Sequence, residues 1–230
     1  MRGITTGIVT LAACAALSAC GGASAGTAST SGAGPGTSSR ASSTSTTAMP
    51  GAKELGAQAI ATLDKARSMR VTGTIPDEGK LMHLDAAGLR RGRDVTVTVS
   101  SGAETTQIVR KGSEAYVRVG PAGKPLTVDW QHLTASEAES LGDDLSVQAM
   151  IDEIIKEATP SYFSGDVTRT THKGVPAYVV PSGVSGEQMV VAAEPPHRPL
   201  AFRGTEGGLD YAMELTQWDA VPAPVIPPRR

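Results

Sequence analysis

The sequence predicts an α+β fold, an antiparallel sheet built as a meander, with helices available to cover one concave face of a curved sheet. Three observations predict it. Apolar residues recur at helical spacing over residues 52–68 and again over 145–158. The chain between and after them alternates with period two, as half-buried strands do. The connections are only a few residues long, which forces hairpins, because parallel crossovers need about a dozen residues or more.

Each element has its own signal. In the first helix Leu55, Ala59, Ile60, Leu63 and Ala66 form one stripe, with Pro50 suiting its start and Lys65 and Arg67 its negative pole. Met69, Val71, Gly73 and Ile75 then alternate with Arg70, Thr72 and Thr74, up to a turn at residues 76–79. Strands follow over residues 80–89, 94–100, 105–110 and 115–119. Residues 121–144 are looser, with Trp130 and Leu133 as packing points. Val147, Met150, Ile151, Ile154, Ile155 and Ala158 give the second helix a wide apolar face, and Pro160 ends it. Strands return over residues 162–171, 176–181, 187–194, 200–204 and 211–218, with turns near Lys173-Gly174 and Ser182-Gly183.

The N-terminus carries the clearest address. Met1-Arg2 is a minimal basic start, residues 4–17 are apolar, and Leu17-Ser18-Ala19-Cys20 precedes Gly21-Gly22. This is a secretory signal layout with a cysteine at the cleavage point, and it resembles the bacterial lipobox. The resemblance implies a diacylglyceryl group on the Cys20 thiol and cleavage that leaves Cys20 first. A plain signal peptide cut after Ala23 or Ala25 is the alternative. An uncleaved span fits less well, since Thr5, Thr6, Thr10 and Ser18 interrupt a run that needs about 20 apolar residues. Residues 1–19 are thus read as signal, and Cys20 with residues 21–50 as anchor and linker. The linker is nearly all Gly, Ala, Ser and Thr, which cannot offset the entropy of ordering a backbone. As a random coil it would span about 30 Å. Residues 51–220 are read as one domain and the proline-rich residues 221–230 as an extended tail.

Composition excludes several classes. Acidic and basic residues nearly balance, at 23 and 21, and no polybasic run appears, so nucleic acid is not an expected partner. Cys14 leaves with the signal and Cys20 is acylated, so the mature domain is expected to be stable without a disulfide. The scarcity of aromatic residues argues against a stacking platform for sugars or bases.

The lipobox, the Ser/Thr/Gly linker, the helix running into Ser68-Met-Arg-Val-Thr-Gly-Thr-Ile75, and the Ala115-Tyr-Val-Arg-Val119 strand resemble the LppX/LprG-like actinobacterial cell-envelope lipoproteins. That group is related in fold to the periplasmic carrier LolA. Pro199-Leu-Ala-Phe-Arg203, and the 209–218 strand running into a proline-rich end, also fit. The resemblance implies a strongly curved antiparallel sheet, a half-open barrel, covered by two or more helices. It also implies lipid or glycolipid cargo in the hollow.

No motif carries catalysis. His83, His132, His172 and His197 lack metal-ligand spacing and read as incidental surface side chains. There is no Gly-x-Ser-x-Gly elbow. Asp77-Glu78 and Asp143-Asp144 suit turns, and either Asp143 or Asp144 suits a helix cap, better than a calcium loop. No metal or cofactor is expected. Arg90, Arg91 and Arg93 form a basic hairpin tip, read either as a solvated turn or as a contact for anionic headgroups or wall polymer.

The apolar candidates carry the functional expectation. Val95, Val97, Val99, Val117, Val119, Val179 and Phe202 on strands, with Val147, Met150, Ile151, Ile154 and Ile155 on the second helix, either fill a core or line a cavity. Three functions follow from these readings: a non-catalytic binder or carrier of lipids and acylated molecules, a solid-cored interaction or scaffold lipoprotein, and, disfavoured by the missing motifs, a hydrolase. The place expected for the first two is the outer face of the cytoplasmic membrane.

Overall fold

The computed structural model describes residues 49–77, 79–140, 146–157, 159, 161–184 and 186–228, without the side chains of 140 and 153–157. The signal, Cys20 and all of the linker up to residue 48 lie outside the described residues.

The chain enters through α1 (Ala52–Lys65) and runs into β1 (Ser68–Asp77), β2 (Lys80–Leu89), β3 (Val95–Ser101), β4 (Glu104–Lys111) and β5 (Glu114–Pro121). A two-residue β6 (Gln131–His132), α2 (Ala135–Ser140) and α3 (Val147–Glu157) follow. β7 (Thr168–His172), β8 (Val175–Pro181), β9 (Gln188–Ala192), β10 (Pro199–Glu206) and β11 (Leu209–Thr216) complete it. All pair antiparallel in one sheet, in the order β6-β5-β4-β3-β2-β1-β11-β10-β9-β8-β7. The hairpins follow from short connections, but the pairing of β1 with β11, with Val71 opposite Leu215, joins the two ends of the fold.

The strongly curved half-open barrel does not form. The eleven-stranded sheet is open, with β6 and β7 as edges at opposite ends of the order. The helices are short, with 14, 6 and 11 residues. The physical reason lies in what sequence alternation leaves unspecified. Period two sets which residues share a face, whereas closure needs bulges and a matching stagger. Among the described pairings a register shift occurs between Pro199 and Ala201. Eleven strands span about 48 Å across, and a 14-residue helix is about 21 Å long, so no one helix roofs the sheet. α1 packs on β8 to β10, α3 on β1 and β2, and α2 on β5.

Two helix starts are capped by side chains. Thr134 and Glu137 form a reciprocal box at α2: Thr134 N–H donates to Glu137 Oε2 at 2.8 Å, and Glu137 N–H donates to Thr134 Oγ1 at 3.3 Å. The Thr-x-x-Glu spacing was a readable sign of this short helix. At α3 the cap is Ser146, whose Oγ accepts from Ala149 N–H at 3.0 Å. Asp143 and Asp144, considered for that role, lie outside the described residues. The proline-rich end packs back on the domain: Pro224 and Pro227 are buried, and Val221 N–H donates to Ser68 Oγ at 3.2 Å.

Candidate functional site

Register assigns every strand residue to a face, and the helix-side face shows a gradient. One row across the sheet holds Leu215, Val71, Ala86 and Val97, successive partners on β11, β1, β2 and β3. Val71, Ala86 and Val97 are 0% exposed and Leu215 2%, packed in one cluster with Leu63 of α1 and with Val147 and Ile151 of α3. Two residues further along, the row Phe202, Met213, Gly73, Leu84 and Val99 is partly uncovered: Phe202, Met213 and Val99 are half-buried. The next row, Tyr211, Ile75 and Met82, is half-buried throughout. The apolar layer is therefore packed tight at the end where β1 begins and open at the end where β1 finishes.

The expected lining residues distribute along this gradient. Val95, Val97, Val147 and Ile151 are buried in the packed part, while Val99, Met150 and Phe202 stand at its partly buried rim. Val117 continues the row Val97–Ile108–Val117 onto β5 half-buried, and Val119, beside it, is 41% exposed. Val179 lies elsewhere. It pairs with Val190, which packs on the opposite face with Ala177 and Ala201. The run Tyr178-Val179-Val180 is apolar throughout, which erases the parity that would have assigned it. The side chains of Ile154 and Ile155 lie outside the described residues.

Phe202 has a second role. It and Ile60 of α1 pack against both the first cluster and a second one formed by Leu55, Phe163, Val180, Met189 and Val191 under α1. The seam between the two clusters thus runs through residues that are themselves half-buried.

Beyond Phe202 lies a polar lip that sequence spacing did not reveal, because its members come from three separate segments. Glu187, in the β8–β9 connection, accepts a hydrogen bond from the Tyr162 hydroxyl, and the Tyr211 phenol lies close enough to feel the Glu187 charge. Tyr211 lies flat over Gly204, where a Cβ would stand 2.5 Å from Cζ. Burial, and then the Glu187 charge, push the Tyr211 phenol well above its ordinary pKa, so it remains a donor.

The arginine tip divides. Arg91 and Arg93 are exposed, but Arg90 is 2% exposed and turned onto the C-terminus of α1. Its Nη1 donates to the carbonyls of Leu63, at 3.1 Å, and Asp64, and its Nη2 to Asp64 Oδ1 at 2.8 Å. Asp152 of α3 stands 3.9 Å from the same nitrogen. The hydrogen bond from Arg90 and its charge hold the Asp64 carboxyl below its usual range. Arg90 satisfies terminal helix carbonyls and does not face solvent, unlike Arg91 and Arg93. Its position at the packed end, away from the rim, places the tip far along the strands from Tyr211.

The opposite face is polar over β11 and β1 to β3, apart from the Ala177–Val190–Ala201 patch. An open hollow of about 500 Å³ is lined there by Thr72, Thr74, His83, Asp85, Thr98 and Glu214, among others. Arg70 Nε donates to Asp85 Oδ1 at 2.8 Å. His172, read from sequence as a surface side chain, is buried instead: its Nε2 lies 2.7 Å from Glu214 Oε2 and its Nδ1 3.2 Å from Arg203 Nη2. Arginine only donates, so Nδ1 accepts and Nε2–H donates to Glu214.

Among the described residues no group of three or more His, Cys, Asp or Glu side chains is placed to hold a metal ion. Among them, too, no helix is long and apolar enough to cross a membrane.

No protein-family model matches the chain, and no curated protein matches it. Among solved structures it is similar to the Mycobacterium tuberculosis lipoprotein LppX, at 10% identity and a TM-score of 0.43, over 73% of this chain and 94% of that one. It is similar to LprF from Mycobacterium bovis at 13% identity and a TM-score of 0.48, over 77% of this chain and 96% of that one. A third likeness is to MucB in its complex with MucA, at 13% identity and a TM-score of 0.30, over 71% of this chain and 53% of that one. At these values the likenesses are distant and carry no argument about ligand or activity.

Proposed function

We propose that the protein is a non-catalytic, extracytoplasmic lipoprotein, anchored through acylated Cys20 to the outer face of the membrane, that binds lipids or other acylated molecules. The observation that carries the reading is the gradient on the helix-side face. An apolar layer sealed at one end and half-uncovered along Phe202, Met213, Val99 and Ile75 at the other is suited to receive an acyl chain end-on. Each CH₂ drawn from water into such a layer contributes about 0.8 kcal/mol. No covalent step is required, and two acyl chains on Cys20 would keep the protein at the surface where such ligands reside.

A second reading is favoured by the packed half of the same layer. Val71, Val97, Val147 and Ile151 are all 0% exposed, which suits an interaction module with a filled core and no cargo. Native mass spectrometry with lipid extraction separates the two, using the chain produced in an actinobacterial host with Cys20→Ser. A discrete added mass that delipidation removes supports the carrier. A clean apo mass under gentle conditions sinks it in favour of the interaction module.

A further inference from the structure

We propose, resting on the acyl-binding reading above, that the Tyr162–Glu187–Tyr211 lip selects acyl ligands whose head is a protonated amine and rejects those ending in carboxylate or phosphate. The lip is the first polar group beyond the half-buried rim. Tyr211 stands two residues along from Met213 on the same face of β11, over Gly204, and Gly204 is likewise two residues along from Phe202 on β10. A chain lying on Phe202 and Met213 with its tail toward Val71 therefore brings its head to Glu187.

The chemistry there is one-signed. The Tyr162 phenol donates to Glu187, and the Tyr211 phenol stands close enough to feel the same charge. An ionised carboxylate offers about four acceptor positions, so it keeps capacity for donors from a ligand. An ammonium supplies three N–H donors and a compensating charge, and the faces of two tyrosines add attraction for a cation within about 6 Å. An alcohol supplies one donor and no charge. A carboxylate or phosphate supplies none and meets the Glu187 charge, with Glu206 the next charge felt at Tyr211 and also negative. The arginines of the β2–β3 tip cannot compensate, since they stand at the opposite end of the strands. Arg203, although on β10, projects to the other face and binds His172.

The test uses three ligands with one chain and different heads: tetradecylamine, tetradecanol and tetradecanoate, at neutral pH and below their aggregation limits. Each displaces a fluorescent fatty-acyl probe from the full chain carrying Cys20→Ser. The amine is expected to displace at about tenfold lower concentration than the carboxylate, with the alcohol between them. Glu187→Gln narrows that ratio to about twofold, and Glu187→Lys reverses the order. Glu194→Lys, in the β9–β10 connection beyond the far end of β9, leaves the ratio unchanged and separates a local contact from a general charge effect. Far-UV circular dichroism checks that the variants are folded. Equal displacement by amine and carboxylate, or a ratio that Glu187→Lys does not move, overturns the proposal while acyl binding stands. Failure of the probe and all three ligands to bind overturns the acyl-binding reading itself, and this proposal with it.

Discussion

Gly56 of α1 lies directly against the ring of Phe163: a Cβ on that glycine would stand 2.7 Å from Cε2 and closer still to Cδ2. Phe163 is 1% exposed and central to the cluster under α1, so the glycine sets how near the helix comes to the sheet. Gly56→Ala improves helix propensity by about 1 kcal/mol, but overpacking costs about 1–3 kcal/mol. A net loss of about 1 kcal/mol is expected in urea unfolding. In a Phe163→Leu background the same substitution should turn neutral or stabilising, and a loss of equal size there would refute the contact as its cause.

Arg90 is expected to matter far more than its acidic partner. Its guanidinium is buried, whereas the Asp64 side chain is 61% exposed. Screening leaves the ion pair about 0–1 kcal/mol, while hydrogen bonds from a charged donor to the α1 carbonyls contribute about 1.5–3 kcal/mol. Arg90→Gln should therefore lower the urea midpoint clearly, and Asp64→Asn should lower it by a fraction of that. Comparable losses from the two would show that the pair, and not the carbonyl contacts, stabilises α1.

Acid sensitivity has a defined origin. Asp219 is held below its usual range by the backbone N–H groups of Arg67 and Ser68, and Asp64 by Arg90. Groups whose folded pKa is depressed contribute stability above their unfolded pKa and lose it as pH falls through the folded value. Both carboxyls ordinarily titrate near 3.8, so stability should fall as pH drops below about 4. Unfolding free energy measured across that window should fall less steeply in the Asp64→Asn, Asp219→Asn double variant than in the parent chain.

The two halves of the apolar layer should respond oppositely. Val97→Ala, in the packed part, is expected to cost about 1–3 kcal/mol of stability. Met213→Ser, at the rim, should cost less but weaken displacement of a bound fatty-acyl probe about fivefold or more. If Met213→Ser leaves probe affinity unchanged, the rim is not where the chain enters.

How much was legible differs by feature. The helices over 52–65 and 147–157 and the hairpin strands were readable because apolar spacing and turn residues are local. The partner of β1 was not, since alternation says that β1 buries one face but not which strand lies beside it. The barrel expectation failed for a related reason: stagger and bulges decide closure, and neither leaves a period in the sequence. Arg90 read as a turn cation because nothing local marks the Leu63 and Asp64 carbonyls as its acceptors. The lip was invisible for lack of spacing, Tyr162, Glu187 and Tyr211 meeting only once β9, β10 and β11 have paired.

The placement of β1 between β2 and β11 inverts the usual logic of trimming a protein from its end. Terminal strands commonly sit where they can be shortened with little harm. Here the last strand is an interior one: removing β11 would not shave an edge but part the sheet into two stacks, β1 to β6 on one side and β7 to β10 on the other. A truncation before β11 would then leave two new unpaired strands facing water, a template for aggregation and a reason for the shortened chain to be degraded.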